Sequence, residues 1–282
     1  MFQADLLKSK RILITGGGTG LGRAMAERFL QLGAAVYICG RRADVLQQTC
    51  RELAGGGPRE IRSFVCDVRD RDAIEQMIAS IWNAGPLNVL VNNAAGNFIA
   101  RTEELSPRAW EAVLGIILHG TLNSILACGR RWLALGQPAT VLNVSTTYAA
   151  VGCGSAYVVP SAVAKAGVLA LTSSLAVEWG SRGIRLNAIA PGPIRTEGAF
   201  SRLLPRKDLE QHALARIPLR HFGTLEEFAN LAAFLVSDGC THVNGEVIVM
   251  DGGEWLQGAS EFGYVGQLLS DSDWNNLRPQ KR

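Results

Sequence analysis

The stretch "ITGGGTGLG", residues Ile14–Gly22, decides how the rest of the chain reads. An apolar run, "RILIT" at 11–15, leads into it, and an amphipathic segment near 20–32 leads out. Gly16, Gly20 and Gly22 form a G-x-x-x-G-x-G pattern. Where a strand turns into a helix, glycines let the backbone turn tightly and approach a pyrophosphate without a Cβ between them. The free N–H groups at the helix start then face the anion. Glycine clusters also occur in ordinary strand–helix turns. Between the first strand and the first helix of an alternating chain, however, the pattern points to a dinucleotide. Thr19 and Leu21 lie in the same loop and join the three glycines as candidate cofactor contacts.

The alternation continues to the far end. Strand candidates are "RILIT" (11–15), "AVYIC" (35–39), "RSFVC" (62–66), "NVLVN" (88–92), "TVLNV" (140–144), "IRLNAIA" (184–190) and "EVIVM" (246–250). Amphipathic segments near 20–32, 43–54, 70–83, 106–135, 160–181 and 224–237 lie between them. Apolar runs spaced by helices predict an α/β fold, a parallel sheet covered on both faces. No repeat, low-complexity tract or domain boundary interrupts residues 1–282, which read as one domain. The Pro-, Gly- and Arg-rich segment at about 191–223 has no clear strand character and reads as a mobile substrate flap.

Composition narrows the partners. The chain has 282 residues, 48% of them hydrophobic, enough for one large core or two small ones. A net charge of +3 with mixed signs forms no basic patch, so nucleic acid is not an expected partner. Six cysteines, at 39, 50, 66, 128, 153 and 240, show neither a CxxC pair nor a His/Cys ligand spacing. They read as reduced core thiols, and no metal is expected. No leader pattern precedes the first strand and "RPQKR" at the end carries no targeting tripeptide. No apolar run is expected to reach membrane-spanning length, because Lys165, Glu178 and several hydroxyls interrupt the longest candidate. The expectation is a cytoplasmic protein without a membrane partner.

The end of the second strand bears on which dinucleotide is bound. An acid there holds the ribose 2′-hydroxyl, whereas arginine accommodates a 2′-phosphate. The chain reads "CGRRADV", with Gly40 in the acid's place and Arg41 and Arg42 after it. Guanidinium groups fork onto phosphate, so the reading is NADP(H). Asp67 and Val68, ending the third strand, are placed for the adenine. Asn93, Ala94, Ala95 and Gly96 end the fourth strand beside the cofactor.

Taken together, "TGGGTGLG", "CDV", "NNAAG", Ser161 with Lys165, "PGPIRT" (191–196) and "DGG" (251–253) resemble the short-chain dehydrogenase/reductase family over about residues 8–255. The resemblance implies a single Rossmann-type, doubly wound domain with seven parallel strands, and commonly a homotetramer. It assigns Lys165 to the nicotinamide ribose and to activation of a neighbouring tyrosine. It places Pro191, Gly192 and Ile194 against the nicotinamide, and Thr196 on phosphate. Longer stretches, "NNAAGNFIARTEELSPRAW", "YVVPSAVAKAGV" and "PGPIRTEGAFSRL", are similar to the NADPH-dependent 2,4-dienoyl-CoA reductases. Those enzymes serve unsaturated fatty-acid oxidation by converting 2,4-dienoyl-CoA to 3-enoyl-CoA. Substrate contacts implied on these stretches are Asn97, Phe98, Phe200 and Ser201.

The family's usual acid is a tyrosine four residues before the lysine, yet that position holds Ser161. In the dienoyl-CoA branch a serine occupies the slot, and the working tyrosine comes from the loop after the fifth strand. The matching stretch is "STTY" (145–148), giving Tyr148, on a loop two residues longer than in that branch. Ser161 and Lys165 are i and i+4 and share a helical face. Tyr148 lies past the carboxyl end of a central strand, where open α/β sheets bind ligands. Tyr157 is read as packing at the helix start, with the acid's role as its alternative. The branch keeps an asparagine before a Gly-Thr to hold the thioester oxygen; here "IILHGTL" (116–122) puts His119 there. Two other functions remain open: a 3-oxoacyl or ketone reductase, and a catalytically silent NADP-binding protein.

Overall fold

The computed structural model describes residues 2–55, 60–150, 154–196, 206–258, 270 and 272–273. The apolar runs form β1 (Arg11–Thr15), β2 (Ala35–Gly40), β3 (Ile61–Val65), β4 (Val89–Asn92), β5 (Ala139–Val144), β6 (Ile184–Pro191) and β7 (Val247–Met250). They make one seven-stranded sheet in the order β3-β2-β1-β4-β5-β6-β7, every pairing parallel. From β1 the chain winds outward to β3, then returns to lay β4 on the other side of β1. The connections at the carboxyl ends diverge at that reversal and leave a crevice.

Helices connect the strands: α1 (Gly20–Gln31), α2 (Ala43–Ala54), α3 (Arg71–Asn83), α4 (Pro107–Leu114), α5 (Gly120–Leu135), α6 (Val159–Gly180), α7 (Lys207–Ala215), α8 (Leu225–Val236) and α9 (Glu254–Gly258). The inner strands, β1, β2, β4, β5 and β6, are buried on both faces because both are covered, while the edge strands β3 and β7 are partly exposed. Ile12 and Ile14 of β1 join one core with Phe29 of α1 and Phe228 of α8. Leu13, between them, joins the opposite core with Ile78 of α3 and Trp132 of α5.

A buried row of polar bonds crosses from sheet to helix. Asn92 Nδ2 donates to Asn143 Oδ1 (2.9 Å), and Asn143 Nδ2 donates to Thr172 Oγ1 (2.8 Å). Thr172 Oγ1 donates in turn to Val168 O (2.7 Å). These groups find partners nowhere else in an apolar interior, so α6 is held at one height over β5. Thr172 lies two helical turns beyond Lys165, and the same anchor therefore aims Ser161 and Lys165.

Three expectations need correction or completion. The segment 106–135, read as one helix, is α4 and α5 joined by a π-helical turn at Gly115–His119. Among the described residues, two helical segments are long and apolar enough, by length and composition, to cross a membrane, contrary to the sequence expectation. They are Pro107–Leu135 (mean hydropathy 1.6) and Val159–Gly180 (1.3). Their apolarity is used in the core, where Ile125, Trp132, Ala176 and Trp179 pack against the sheet. Within the supposed flap, α7 forms a helix, and Ile194 bridges Gly223 in parallel. Residues 197–205, including Phe200 and Ser201, lie outside the described residues.

Candidate active site

The glycine loop is locked from beneath. Gly16 takes a left-handed conformation (φ 66°), and its N–H bonds Cys39 O at 2.8 Å. Asn93 Nδ2, from the end of β4, donates to Thr15 O (3.0 Å) and Gly16 O (3.1 Å). Thr15 Oγ1 accepts from the N–H groups of Asn93 and Ala94, both at 3.0 Å. Gly22 is buried under this knot: a Cβ there would stand 2.3 Å from Gly16 O and 2.6 Å from Asn93 Nδ2. Only glycine allows that approach.

Thr19, the N-cap of α1, makes no side-chain capping bond, so the first N–H groups of the helix are left to the cleft. The cleft has a volume of about 2870 Å³. Its lining includes Gly16, Thr19, Gly20 and Leu21 from the loop, and Arg41 and Arg42, both exposed, after β2. Asp67 and Val68 follow β3, Asn93–Asn97 follow β4, and Pro191, Gly192, Ile194 and Thr196 follow β6. Thr196 abuts the loop, its Cγ2 3.7 Å from where a Gly20 Cβ would stand. The Asp67 carboxylate is gripped by Arg69 (Nη2–Oδ2 2.6 Å), and that hydrogen bond holds it below its ordinary pKa. A loop that a Cβ would fill, an uncapped helix start and guanidinium groups beyond β2 fit a dinucleotide phosphate chain.

At the other end, three elements meet. Lys165 of α6 is buried and donates to Val144 O, the last carbonyl of β5. Burial lowers its ammonium pKa to about 8. One turn back, Ser161 is 2% exposed, and its Oγ is 3.1 Å from the Tyr148 hydroxyl. Tyr148 stands on a single 3-10 turn, Thr147–Ala149, just past β5. Asn97 Nδ2 donates to the same phenol oxygen at 3.1 Å. Among the described residues Ser145 Oγ, from the same loop and also lining the cleft, is buried with no hydrogen-bond partner. The arrangement can present a phenol proton into the cleft, with a buried ammonium one helical turn from its Ser161 partner.

Not every expected residue arrives. His119 is exposed and is not part of the cleft lining. The π-turn takes five residues and shifts the helical phase, so Ile117 and Gly120 turn inward, Gly120 tight against Val68, and His119 turns outward. Phe98 packs instead with Val113, Ile117 and Val168. Tyr157 is not packed at the helix start but 57% exposed, with a left-handed backbone (φ 66°), and it does not line the cleft. Sequence reasoning missed Leu209, His212 and Ala213 of α7 and Arg216, its C-cap, which line the cleft. Their i, i+3, i+4, i+7 spacing was the available signal, hidden by reading the segment as loop. It also missed Glu254 of α9, whose carboxyl burial pushes upward while Arg216, 3.3 Å away, opposes the shift.

Comparison with known proteins gives matches along most of the chain. A family model described as enoyl-(acyl carrier protein) reductase matches residues 16–254. A probable 2,4-dienoyl-CoA reductase [(2E)-enoyl-CoA-producing] of Bacillus subtilis is 45% identical over 252 residues, covering 89% of this chain and 98% of the relative. A probable 2,4-dienoyl-CoA reductase 3 [(3E)-enoyl-CoA-producing] of Caenorhabditis elegans is 42% identical, covering 95% and 86%. Among solved structures, a short chain dehydrogenase from Bacillus anthracis superposes with a TM-score of 0.79 at 41% identity, covering 87% and 96%.

The buried lysine makes a testable cost. Its folded pKa of about 8 lies below the unfolded value of 10.5. Between them the unfolded chain binds more protons, so stability rises with pH across that window, and below it the full cost of burying the charge is carried. Lys165→Met is therefore expected to unfold at higher denaturant than the wild type at neutral pH, with unchanged m, and to lose the rise between pH 8 and 10.5. A wild type that loses stability across that window contradicts the assignment.

Proposed function

The chain belongs to the short-chain dehydrogenase/reductase family, oxidoreductases with a nicotinamide cofactor, and on that footing we propose that it reduces 2,4-dienoyl-CoA thioesters to 3-enoyl-CoA with NADPH. The observation that carries the reading is the position of Tyr148, whose hydroxyl meets Ser161 Oγ at 3.1 Å, one helical turn before the buried Lys165. The acid has moved from the helix to the loop. A ketone or 3-oxoacyl reductase would keep its phenol at position 161, where an aliphatic hydroxyl is too weak an acid to serve.

Bound NADPH supplies the hydride, taken by the far end of the conjugated diene. The glycine loop and the α1 N-terminus hold its phosphates, Arg41 and Arg42 its 2′-phosphate, and Lys165 its nicotinamide ribose. Negative charge then gathers on the thioester oxygen, where the Tyr148 phenol is the preorganised donor. Lys165 stabilises the phenol oxygen as its proton shifts, and Ser161 holds the phenol in place. In this reading water protonates the α-carbon of the extended enolate, as such enolates favour, and the 3-enoyl thioester results. His119 is left out of the chemistry.

Leu209, His212 and Ala213 of α7, with its C-cap Arg216, line the cleft, which supports the segment at about 191–223 as the substrate flap. Val163 and Val177, 48% and 85% exposed on the face of α6 away from the site, support subunit contacts in a homotetramer.

Two measurements test the reading. kcat/KM is expected to favour NADPH over NADH by at least about tenfold, roughly 1.4 kcal/mol, and Arg41→Ala to close most of that gap; equal use of both cofactors by the wild type removes the phosphate role of Arg41 and Arg42. With NADPH, wild-type protein is expected to bleach a 2,4-dienoyl-CoA chromophore and yield 3-enoyl-CoA by NMR. Tyr148→Phe should lower kcat by about 10²-fold or more with NADPH affinity unchanged, as losing a transition-state contact does. A harmless Tyr148→Phe, or brisk ketone reduction, overturns the dienoyl reading.

A further inference from the structure

We propose that Asn97 is a positioning residue that aims the Tyr148 proton at the substrate. The proposal rests on the reading of Tyr148 as the acid. Three facts fix the orientation of the Asn97 amide. Its Oδ1 accepts the N–H of Phe98 at 2.9 Å, so the oxygen is turned away from the tyrosine. Its Nδ2 points at the phenol oxygen at 3.1 Å. The loop that carries it is pinned to the start of α6, Ala100 N–H bonding Tyr157 O at 3.0 Å. That carbonyl belongs to an aromatic residue held at φ 66°, an uncommon conformation that persists only where surroundings impose it.

An amide NH₂ donates and does not accept. The phenol is thereby barred from giving its proton to Asn97 and must give it either to Ser161 Oγ or into the cleft. Once a thioester oxygen arrives, Ser161 can turn its own hydroxyl to donate. The phenol oxygen then receives two hydrogen bonds while its proton points at the substrate. Both donors grow stronger as charge develops on that oxygen, which is where preorganised donors act. Asn97 was read from sequence as a substrate contact; the geometry gives it work through Tyr148 instead.

A double-mutant cycle with 2,4-dienoyl-CoA and NADPH separates the two roles. Asn97→Ala and Asn97→Asp, the second isosteric but without the donor, should each lower kcat by about tenfold or more, with the thioester KM and NADPH Kd within about twofold of wild type. In a Tyr148→Phe background, Asn97→Ala should cost less than about twofold, because the group it acts through is gone. An equal loss in both backgrounds, or no loss in the wild type, overturns the proposal. A readout free of turnover keeps it testable if dienoyl thioesters prove not to be substrates. In NADP⁺-bound protein labelled at tyrosine ¹³Cζ, the resonance missing from Tyr148→Phe should move in Asn97→Asp, while those of Tyr37 and Tyr157 stay. An unmoved Tyr148 resonance refutes the contact, whichever substrate is turned over.

Discussion

The side chain of Asn93 ties the loop after β4 to the loop after β1, and the cleft depends on that tie. Its amide spans Thr15 O and Gly16 O while Thr15 Oγ1 gathers two backbone N–H groups in return. The knot sits where the strand order reverses, the place where a parallel sheet opens a crevice at its carboxyl ends. Without it the glycine loop would lose its floor and α1 its fixed aim. Gly22 shows how little slack there is, because a single methyl would drive into the Gly16 carbonyl.

From this fixed end the proposed catalytic end is placed by a second set of polar bonds. The Asn92–Asn143–Thr172 row sets the height of α6, and α6 sets Lys165 and Ser161. The site thus hangs on buried groups that cost stability if left unpaired and specify geometry when paired. Lys165 is the exception, a charge kept in the interior with a backbone carbonyl for company. Such a residue weakens the fold, and in the proposed reaction it serves the chemistry, the trade active sites commonly make.

Much of this was legible in the sequence because it follows from local rules. The apolar runs gave the strands to within a residue or so, since short apolar runs separated by helix-length segments read as strands of a parallel sheet. The glycine spacing placed the tight loop between β1 and α1 at the cleft, and helical spacing put Ser161 and Lys165 on one face. What failed depended on phase and on tertiary context. His119 was placed by its distance from a Gly-Thr pair, but a π-turn shifts phase in a way that no residue count reveals. Tyr157 was assumed to be packed, yet its backbone conformation turns it to solvent. The cleft-facing side of α7 was hidden by the Pro- and Gly-rich composition around it.

The claim at the centre is that the proton donor stands at position 148, in the loop, and not on the helix. A crystal structure of the ternary complex with NADP⁺ and a 2,4-dienoyl-CoA tests it most directly. The account predicts the thioester oxygen within about 2.5–3.0 Å of the Tyr148 hydroxyl, the range for O–H···O bonds, with Asn97 behind the phenol. A thioester oxygen held by His119 or Tyr157, with Tyr148 turned away, would contradict it.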